Sequence, residues 1–483
     1  MHRFLISAAH KSSGKTTLSI GLAAALKARG LAVQPFKKGP DYIDPLWLSR
    51  AAGRGCRNLD FFLSSHKEIR QQFAQGHDAD VCLVEGNKGL YDGLALEGSN
   101  SNAALARLLD LPVILVLDAR GMTRGIAPLI LGYQAFERDI RIAGVILNRL
   151  GGKRHESKLR AVIEHYTEVP VLGAVQEDAQ LALVERHLGL MPANEAAGAE
   201  HLIASIADTV ARQVDLDRLL AITATATKLP PPAATTQRET PRLRIAIAQD
   251  AAFGFYYTDD LDALRAAGAD LLPFDALKDT HLPACDALLI GGGFPESFLD
   301  ALAANSALRN DIRKKVEGGL PTYAECGGLM YLAQSISWQG NTRPMVGVIP
   351  GEIVMHPKPV GRGYVILAPT DAHPWACRPA SPEKEIPSGH ADFCGQIHAH
   401  EFHYSELRGL PTDTQFAYKV ERGHGIDGKS DGIVLHNMLA SYTHLRGVAR
   451  SNWPARFIEF VRQCQHQARR GLDHAEESNP CLP

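Results

Sequence analysis

Short apolar runs alternate with longer amphipathic segments along the first part of the chain, up to about residue 220. Each run is too short for a helix and ends at polar or turn-forming residues, so it predicts a buried β-strand. The clearest runs are residues 3–8, 31–36, 81–85, 113–118 and 143–148. The intervening segments have helical periodicity, as at residues 18–29. This alternation is typical of a parallel α/β sheet.

The alternation stops at residues 223–242, which are rich in Thr, Ala and Pro and predict an extended linker. Apolar runs then resume at residues 243–249, 287–290, 321–324 and 345–348. We therefore predict an α/β domain at 1–222 and a second α/β domain at 243–470. Residues 373–395 lack periodicity and predict a loop, and the polar residues 471–483 predict a disordered tail.

Composition narrows the classes of function. The 51 basic and 53 acidic side chains nearly cancel and form no long run of one sign, which disfavours nucleic acid and anionic membranes as partners. No stretch approaches the roughly 18 apolar residues that span a bilayer, and the first apolar run is too short for a signal peptide. The 8 cysteines form no Cys-x-x-Cys pair, which argues against a zinc cage and a disulfide framework. We expect a cytoplasmic protein with a small-molecule ligand.

A candidate phosphate-binding loop, Ala-His-Lys-Ser-Ser-Gly-Lys-Thr, occupies residues 9–16 between the first strand and the first helix. Such a loop presents backbone N–H groups to phosphate oxygens, a lysine to the terminal phosphates and a hydroxyl to magnesium. Ala9 stands where the usual pattern has its first glycine, so a chance Gly-Lys-Thr is the alternative. The predicted nucleotide-binding residues are Ser12, Ser13, Gly14, Lys15, Thr16 and Thr17.

Two polar residues at other strand ends extend this nucleotide site. Glu85 ends the strand at 81–85, where it is placed to ligate or orient magnesium together with Thr16. Asn148 ends a later strand, and its amide could read an adenine edge or cap a turn. The sequence thus predicts Mg²⁺ bound with ATP.

The loop Phe-Lys-Lys-Gly-Pro-Asp-Tyr-Ile-Asp-Pro at residues 36–45 follows the second strand, at the sheet edge that would carry the phosphates. Asp41 and Asp44 of this loop could bind metal or substrate, or could form a solvated acidic turn. Asp92, in Gly-Leu-Tyr-Asp-Gly at 89–93, joins them on weaker grounds.

Cys326 lies at a predicted tight turn between a strand and a helix, within residues 320–330. This is the nucleophile-elbow arrangement, in which the helix N-terminus favours a thiolate. A buried, inert thiol is the alternative. His444, which follows an apolar run, is the preferred general base, with His400 and His403 as rivals. The two rivals alternate along a predicted strand and lack a His-Glu-x-x-His pattern, so we expect no metal there.

A glycine turn supplies candidate oxyanion donors. Residues 288–290 are an apolar strand that runs into three glycines at 291–293, and bare backbone N–H groups suit a developing oxyanion. Gly292 and Gly327, which follows Cys326, are the predicted donors.

Seven strings of residues, in this order, resemble the cobyrinate a,c-diamide synthase family over about residues 3–460. They lie at residues 35–45 (PFKKGPDYIDP), 58–60 (NLD), 84–93, 186–190 (RHLGL), 251–257, 323–331 (YAECGGLMY) and 400–405 (HEFHYS). The resemblance implies a P-loop domain with a parallel sheet similar to dethiobiotin synthetase, followed by an α/β domain of the class I glutamine amidotransferase type.

The resemblance also assigns roles. It implies that Cys326 and His444 are the glutaminase pair, and that Thr16 and Glu85 bind magnesium with ATP. Class I glutaminases usually carry a glutamate two residues after the histidine, where this chain has Arg446, and the resembled family dispenses with that glutamate. The residues implied to line the tetrapyrrole and acyl-transfer site are Asp41, Tyr42, Asp44 and Asp92.

The implied reaction is ATP- and glutamine-dependent amidation of the a and c acetates of a cobyrinate-type tetrapyrrole through an acyl phosphate. The expected partners are ATP, glutamine and the macrocycle, with a homodimer left open. Residues 445–447 and 355–364 depart from the family pattern, so a sirohaem-type tetrapyrrole is an alternative substrate. Another carboxylate is a further alternative. From a different class, the first domain could be a nucleotide-switched partition ATPase with a vestigial second domain.

Overall fold

The structure is a computed structural model that describes residues 1–178, 185–186, 189–196, 198–231, 242–375, 395–448 and 451–477. The chain divides into two units, Met1–Ala234 and Thr235–Pro483. Several predicted features lie outside the described residues: half of the linker (232–241), most of the loop (376–394), two positions of the RHLGL string (187–188) and the end of the tail (478–483).

Unit 1 is built on a seven-stranded parallel sheet with the strand order β3-β2-β4-β1-β5-β6-β7. Its strands are β1 His2–Ala8, β2 Val33–Lys38, β3 Arg57–Leu59, β4 Val81–Glu85, β5 Val113–Asp118, β6 Ile142–Leu150 and β7 Val171–Gln176, with a separate short pair, β8 Glu185–Arg186 and β9 Gly189–Leu190. Its helices are α1 Lys15–Ala28, α2 Ile43–Ala52, α3 His66–Ala74, α4 Asn102–Leu109, α5 Ile126–Phe136, α6 Lys153–Tyr166, α7 Ala199–Gln213 and α8 Leu216–Thr223.

This sheet is buried on both faces, which explains why its strands read as continuous apolar runs. Along β1, Phe4 and Ile6 belong to one hydrophobic cluster and Leu5 to the other, as the two-residue period of a strand requires. The predicted parallel α/β fold is confirmed. The loops after β1, β2 and β4 meet at the carboxyl edge, where ligands bind in open α/β sheets.

Unit 2 contains a nine-stranded sheet with the order β12-β10-β13-β15-β24-β23-β22-β19-β20 and a side sheet β17-β16-β18-β21. Its strands are β10 Leu243–Ala248, β11 Phe253–Phe255, β12 Ala269–Phe274, β13 Ala287–Ile290, β14 Gly292–Gly293, β15 Thr322–Glu325, β16 Ala333–Trp338, β17 Asn341–Pro344, β18 Ile349–Met355, β19 Gly361–Pro369, β20 Ile397–His403, β21 Ser405–Arg408, β22 Gln415–Arg422, β23 Ser430–Leu435 and β24 Met438–Ser441. Its helices are α9 Thr258–Ala266, α10 Leu299–Ala304, α11 Ser306–Glu317, α12 Gly327–Leu332 and α13 Trp453–Glu477.

In the large sheet, the adjacent strands β12, β10, β13, β15 and β24 pair in parallel. The pairs from β24 through β23, β22 and β19 to β20 are antiparallel. The predicted α/β class of this unit is therefore confirmed. The register of β15 on β24 places Thr322 opposite Met438 and Glu325 opposite Ser441. The residues that follow these two strands consequently start from neighbouring positions at the carboxyl edge.

The strand predicted at residues 345–348 is wrong, because this segment connects β17 to β18. Met345 and Val346 are buried, and their N–H groups donate to the carbonyls of Gln334 and Tyr331. A buried connection has the same apolar signature as a strand. At the chain end, α13 extends to Glu477, so helical backbone continues into the segment for which a disordered tail was predicted. Of the helices that the structure describes, none is long and apolar enough to cross a membrane.

Candidate active sites

The phosphate loop lies between β1 and α1, as predicted, and side chains from other strand ends and helices support it. Gly14 has a φ of 85°, and a Cβ at that position would lie 2.2 Å from Asn148 Nδ2, so glycine is required. Asn148 Nδ2 donates to the carbonyl of Ser13 at 2.9 Å. Tyr133 Oη donates to the carbonyl of Ala9 at 2.5 Å. The loop that departs from the usual pattern at Ala9 is therefore held from two sides.

The contact made by Asn148 bears on the adenine prediction. An adenine edge is read by a donor and an acceptor together, and here the amide donor is engaged with the loop. In this arrangement Asn148 shapes the phosphate loop. Its contact with adenine stays a prediction that would have to use Oδ1.

The structure brings Thr16, Asp44 and Glu85 together around a buried lysine. Thr16 Oγ1 donates to Glu85 Oε1 at 2.7 Å and to Asp44 Oδ2 at 3.3 Å. Lys37 Nζ lies 2.5 Å from Asp44 Oδ2, 3.1 Å from Glu85 Oε1 and 3.9 Å from Asp41 Oδ2. Burial works against the charge on Lys37, but these carboxylates raise its pKa well above the usual value. The sequence interpretation missed Lys37. In the structure β2 pairs with β4, and Lys37 lies opposite Glu85.

The cluster fits a magnesium ion. Glu85 is fully buried, and its Oε2 atom has no hydrogen-bond partner among the residues that the structure describes. Burial and repulsion from Asp44 raise the pKa of Glu85, while Lys37 opposes that shift. Within the described ranges no group of three or more His, Cys, Asp or Glu side chains forms a metal cage. Mg²⁺ rarely uses such a cage and prefers a few protein oxygens completed by phosphates and water.

The predicted substrate residues lie at two turns of this edge. Asp41 Oδ1 accepts from the N–H groups of Ile43 and Asp44 at 2.9 and 3.1 Å and so begins α2. Burial and repulsion from Asp44 raise the pKa of Asp41 to about 7. Tyr42 is buried at the N-cap of α2. Asp92 Oδ2 accepts from the N–H of Gly89 at 2.9 Å.

A second lysine in this region was also missed. Lys38 is buried, and its Nζ donates to Asn87 Oδ1 at 3.2 Å. Burial, together with repulsion from Lys37, lowers the pKa of Lys38 to about 8, although Asp60 opposes the shift. Two consecutive lysines at the end of an apolar run were the signal in the sequence that could have identified both residues.

In unit 2, Cys326 occupies the predicted elbow between β15 and α12. Its φ of 47° and ψ of −102° are strained for a residue with a side chain. Its N–H donates to the carbonyl of Ser441 at 2.7 Å, which ties the elbow to the end of β24. Such strain is characteristic of catalytic positions.

The structure pairs Cys326 with His444. Burial works against a charged imidazole, but hydrogen bonds to Cys326 and Glu325 raise the pKa of His444 to about 10. His444 Nδ1 lies 3.2 Å from Glu325 Oε2. These two contacts favour the protonated form of the His444 imidazole.

The rival histidines take other positions. His400 stacks on His444 with ring centroids 4.9 Å apart, and burial together with repulsion from His444 and Arg446 lowers its pKa well below the usual value. His403 Nδ1 is hydrogen-bonded to the carbonyl of Ser405, and its ring stacks on Tyr442 at 3.9 Å. His400 thus packs against the His444 ring as an uncharged imidazole.

Glu325, which contacts His444, is a residue of this site that the sequence interpretation missed. It directly precedes Cys326, and the rule that places a glutamate two residues after the histidine directed attention to Arg446. Arg446 instead pairs with Asp259, and its guanidinium lies 4.3 Å from the centre of the Tyr257 ring. A carboxylate beside the nucleophile in the sequence was the available signal.

The predicted oxyanion glycines surround the pair. A Cβ at Gly292 would lie 2.7 Å from His444 Cε1, and a Cβ at Gly327 would lie 2.9 Å from the backbone N of Gly293. Gly327 is the first residue of α12, so its N–H has no acceptor within the helix. The close packing favours glycine at both positions and brings bare backbone next to Cys326 and His444.

Comparison with known proteins follows the same division of the chain. Residues 5–190 match the family described as CobQ/CobB/MinD/ParA nucleotide binding domain, and residues 244–451 match the CobB/CobQ-like glutamine amidotransferase domain. A relative from Magnetococcus marinus named cobyrinate a,c-diamide synthase is 46% identical over 95% of this chain and 97% of its own length. Relatives of the same name from Methanosarcina barkeri and Listeria innocua are 40% and 39% identical, over 95% and 92% of this chain and 96% of their own lengths. The chain belongs to the cobyrinate a,c-diamide synthase family of glutamine-dependent ligases.

Proposed function

We propose that the protein uses ATP and glutamine to convert the a and c acetates of a cobyrinate-type tetrapyrrole to amides. The observation that carries this proposal is the Cys326–His444 pair in a strained elbow, on a chain that also holds a supported phosphate loop. The names of the relatives, which cover nearly the whole chain, support the substrate class.

In the glutaminase half, the Cys326 thiolate attacks the carboxamide carbon of glutamine, and the carbonyl oxygen becomes an oxyanion. Backbone N–H groups near Gly292 and Gly327 donate to that oxygen. The pKa of about 10 keeps a proton on His444 at neutral pH, and this proton passes to the nitrogen of the collapsing intermediate. Ammonia leaves, and water then hydrolyses the thioester to glutamate.

In the ATP-dependent half, an oxygen of the acetate attacks the γ-phosphorus of ATP, and ADP leaves. Ammonia then attacks the acyl carbon, phosphate leaves, and the nitrogen loses a proton. Lys15 reaches the terminal phosphates from the loop, and Lys37 holds Asp44 and Glu85 in place. Thr16, Glu85 and Asp44 would hold Mg²⁺, which neutralises phosphate charge when it is bound.

Cys326→Ser separates the two half-reactions. The variant is expected to lose amidation with glutamine and to keep amidation with high ammonia, because the change removes the nucleophile from one half only. The assay follows cobyrinate products by mass spectrometry in the presence of ATP and Mg²⁺. Cys464→Ser, at a half-buried free cysteine of α13, is the matched control and should retain both activities.

Two outcomes would overturn the proposal. One is the absence of amidated cobyrinate with either nitrogen source. The other is a Cys326→Ser protein that uses glutamine as well as the unaltered protein does.

A further inference from the structure

Both oxygens of the Glu325 carboxylate are engaged in the glutaminase half. Oε2 lies 3.2 Å from His444 Nδ1. Oε1 accepts from the N–H of Leu445 at 2.9 Å and from Tyr323 Oη at 2.5 Å. The residue is only 7% exposed. The carboxylate is therefore fixed by two donors on one side and directed at the imidazole on the other.

This contact decides which nitrogen of His444 serves the cysteine. A carboxylate on Nδ1 holds the proton on that nitrogen and leaves Nε2 for the nucleophile, as in hydrolases whose histidine is oriented by an acidic residue. It also fixes the ring plane, which stacks on His400 on one side. A carboxylate hydrogen-bonded to Nδ1 additionally stabilises the imidazolium.

The position that usually supplies this carboxylate cannot do so here. Arg446 is buried, pairs with Asp259 and packs on the Tyr257 ring. Its positive charge would oppose an imidazolium. Glu325 instead reaches Nδ1 of His444, and in the sequence it stands immediately before Cys326.

We propose that Glu325 is the positioning residue of the glutaminase site and acts through His444 without touching glutamine. The inference rests on the proposed glutaminase reaction of Cys326 and His444. It adds a third member that stands at a sequence position different from that of the usual glutamate.

Glu325→Gln is a sharp test because the neighbours dictate its orientation. The donors Leu445 N–H and Tyr323 O–H require an oxygen on their side, so the amide NH₂ must face His444 Nδ1. That arrangement makes Nδ1 an acceptor and places the imidazole proton on Nε2, towards the cysteine. The variant is expected to lose roughly 10²-fold or more in kcat for glutamine hydrolysis. The KM for glutamine and the ammonia-dependent amidation should change little.

The pH profile gives a readout that a purely structural role would not move. The charged and titratable groups around His444 are Glu325 and Cys326 at the elbow, His400 on β20 and Arg446. Of these, only Glu325 is an anion fixed on Nδ1. Burial opposes the charge on His444, but the hydrogen bonds that His444 makes to Cys326 and Glu325 raise its pKa to about 10. In Glu325→Gln the alkaline limb of the kcat profile should therefore move to lower pH. Glu325→Asp, which keeps the charge on a shorter side chain, should move it back part of the way.

A matched control is available in the same unit. Glu401 is a buried carboxylate 3.6 Å from His403 Nε2, and it accepts from the N–H groups of His424 and Gly425. Glu401→Gln should leave the alkaline limb of the kcat profile unchanged. Equal displacement of that limb in Glu401→Gln and Glu325→Gln would overturn the inference.

The failure modes can be told apart. If the unaltered protein does not hydrolyse glutamine, the proposed function fails. If the unaltered protein does so and Glu325→Gln keeps its kcat and pH profile, the inference alone fails. If the KM for glutamine also changes in Glu325→Gln, the pH profile of Glu325→Asp decides. An alkaline limb that stays where it lies in Glu325→Gln would contradict a charge-dependent role.

Discussion

Gly292 offers the most direct test of the proposed glutaminase geometry, because a single methyl group there would meet His444. The Cβ of Gly292→Ala would lie 2.7 Å from His444 Cε1, about 0.7 Å closer than the 3.4 Å at which ordinary contact begins. The φ of Gly292 is outside the left-handed region, so alanine can adopt the backbone conformation. The added Cβ would also lie 3.2 and 3.3 Å from Cβ and Cδ2 of Phe255, so His444 is the tightest of its contacts. The effect is therefore steric and local.

The histidine has little freedom to yield. Its ring stacks on His400 at 4.9 Å, and its Nδ1 is bonded to Glu325. A displacement approaching 1 Å at a reacting group costs roughly 10²-fold in rate, or about 2.7 kcal/mol in the barrier. Gly292→Ala is thus expected to lower kcat for glutamine hydrolysis by roughly that factor, while ammonia-dependent amidation is retained.

The assay measures glutamate release and amide formation in parallel. Gly395→Ala is the control in the same unit, because no atom of the described residues lies within 4 Å of its added Cβ. A Gly292→Ala protein whose glutamine-dependent kcat stays within twofold of the control would refute the placement of His444 against this glycine.

Two further predictions concern unit 1. Tyr133→Phe removes the hydrogen bond to the Ala9 carbonyl, worth about 0.5–1.5 kcal/mol, so the KM for ATP should rise roughly 2- to 10-fold; Tyr166→Phe, at an exposed tyrosine, should not change it. Lys38→Met should stabilise unit 1 at pH 7. Burial lowers the pKa of Lys38 from 10.5 to about 8, which corresponds to about 3 kcal/mol against the charged form, reduced to about 2 kcal/mol by the lost bond to Asn87. Between pH 8 and 10.5 the unfolded chain binds more protons, so the stability of the unaltered protein rises with pH and the advantage of the variant disappears. Urea unfolding at pH 7 and pH 10 measures this difference, and an equal gap at both pH values would contradict it.

The sequence identified the features that are contiguous along the chain. A phosphate loop and a nucleophile elbow are both strand–turn–helix units, so their residue types and spacing are visible without a structure. The confirmed parallel sheet of unit 1 was equally visible, because strands buried on both faces leave continuous apolar runs. The wrong strand at residues 345–348 shows the limit of the same signal, since Met345 and Val346 are buried in a connection.

Apart from the predicted meeting of Thr16 and Glu85, side-chain contacts between distant strand ends were beyond that reasoning. Lys37 meets Glu85 because β2 and β4 are adjacent in the sheet, and strand order is not written in local periodicity. Asn148 reaches the Ser13 carbonyl across 135 residues of chain, a support of the phosphate loop that the sequence did not reveal.

The Glu325 contact has a physical origin in the same strand order. Glu325 and His444 are 119 residues apart, yet β15 pairs in parallel with β24 and Glu325 lies opposite Ser441. The chain beyond Ser441 must therefore pass the end of β15, where the Leu445 N–H meets the Glu325 carboxylate. Because the Glu325 carboxylate contacts Nδ1 of His444, a second carboxylate at position 446 would bring two buried anions together. Two buried anions are costly without a further cation. A positive residue at that position, paired elsewhere, is what this geometry favours.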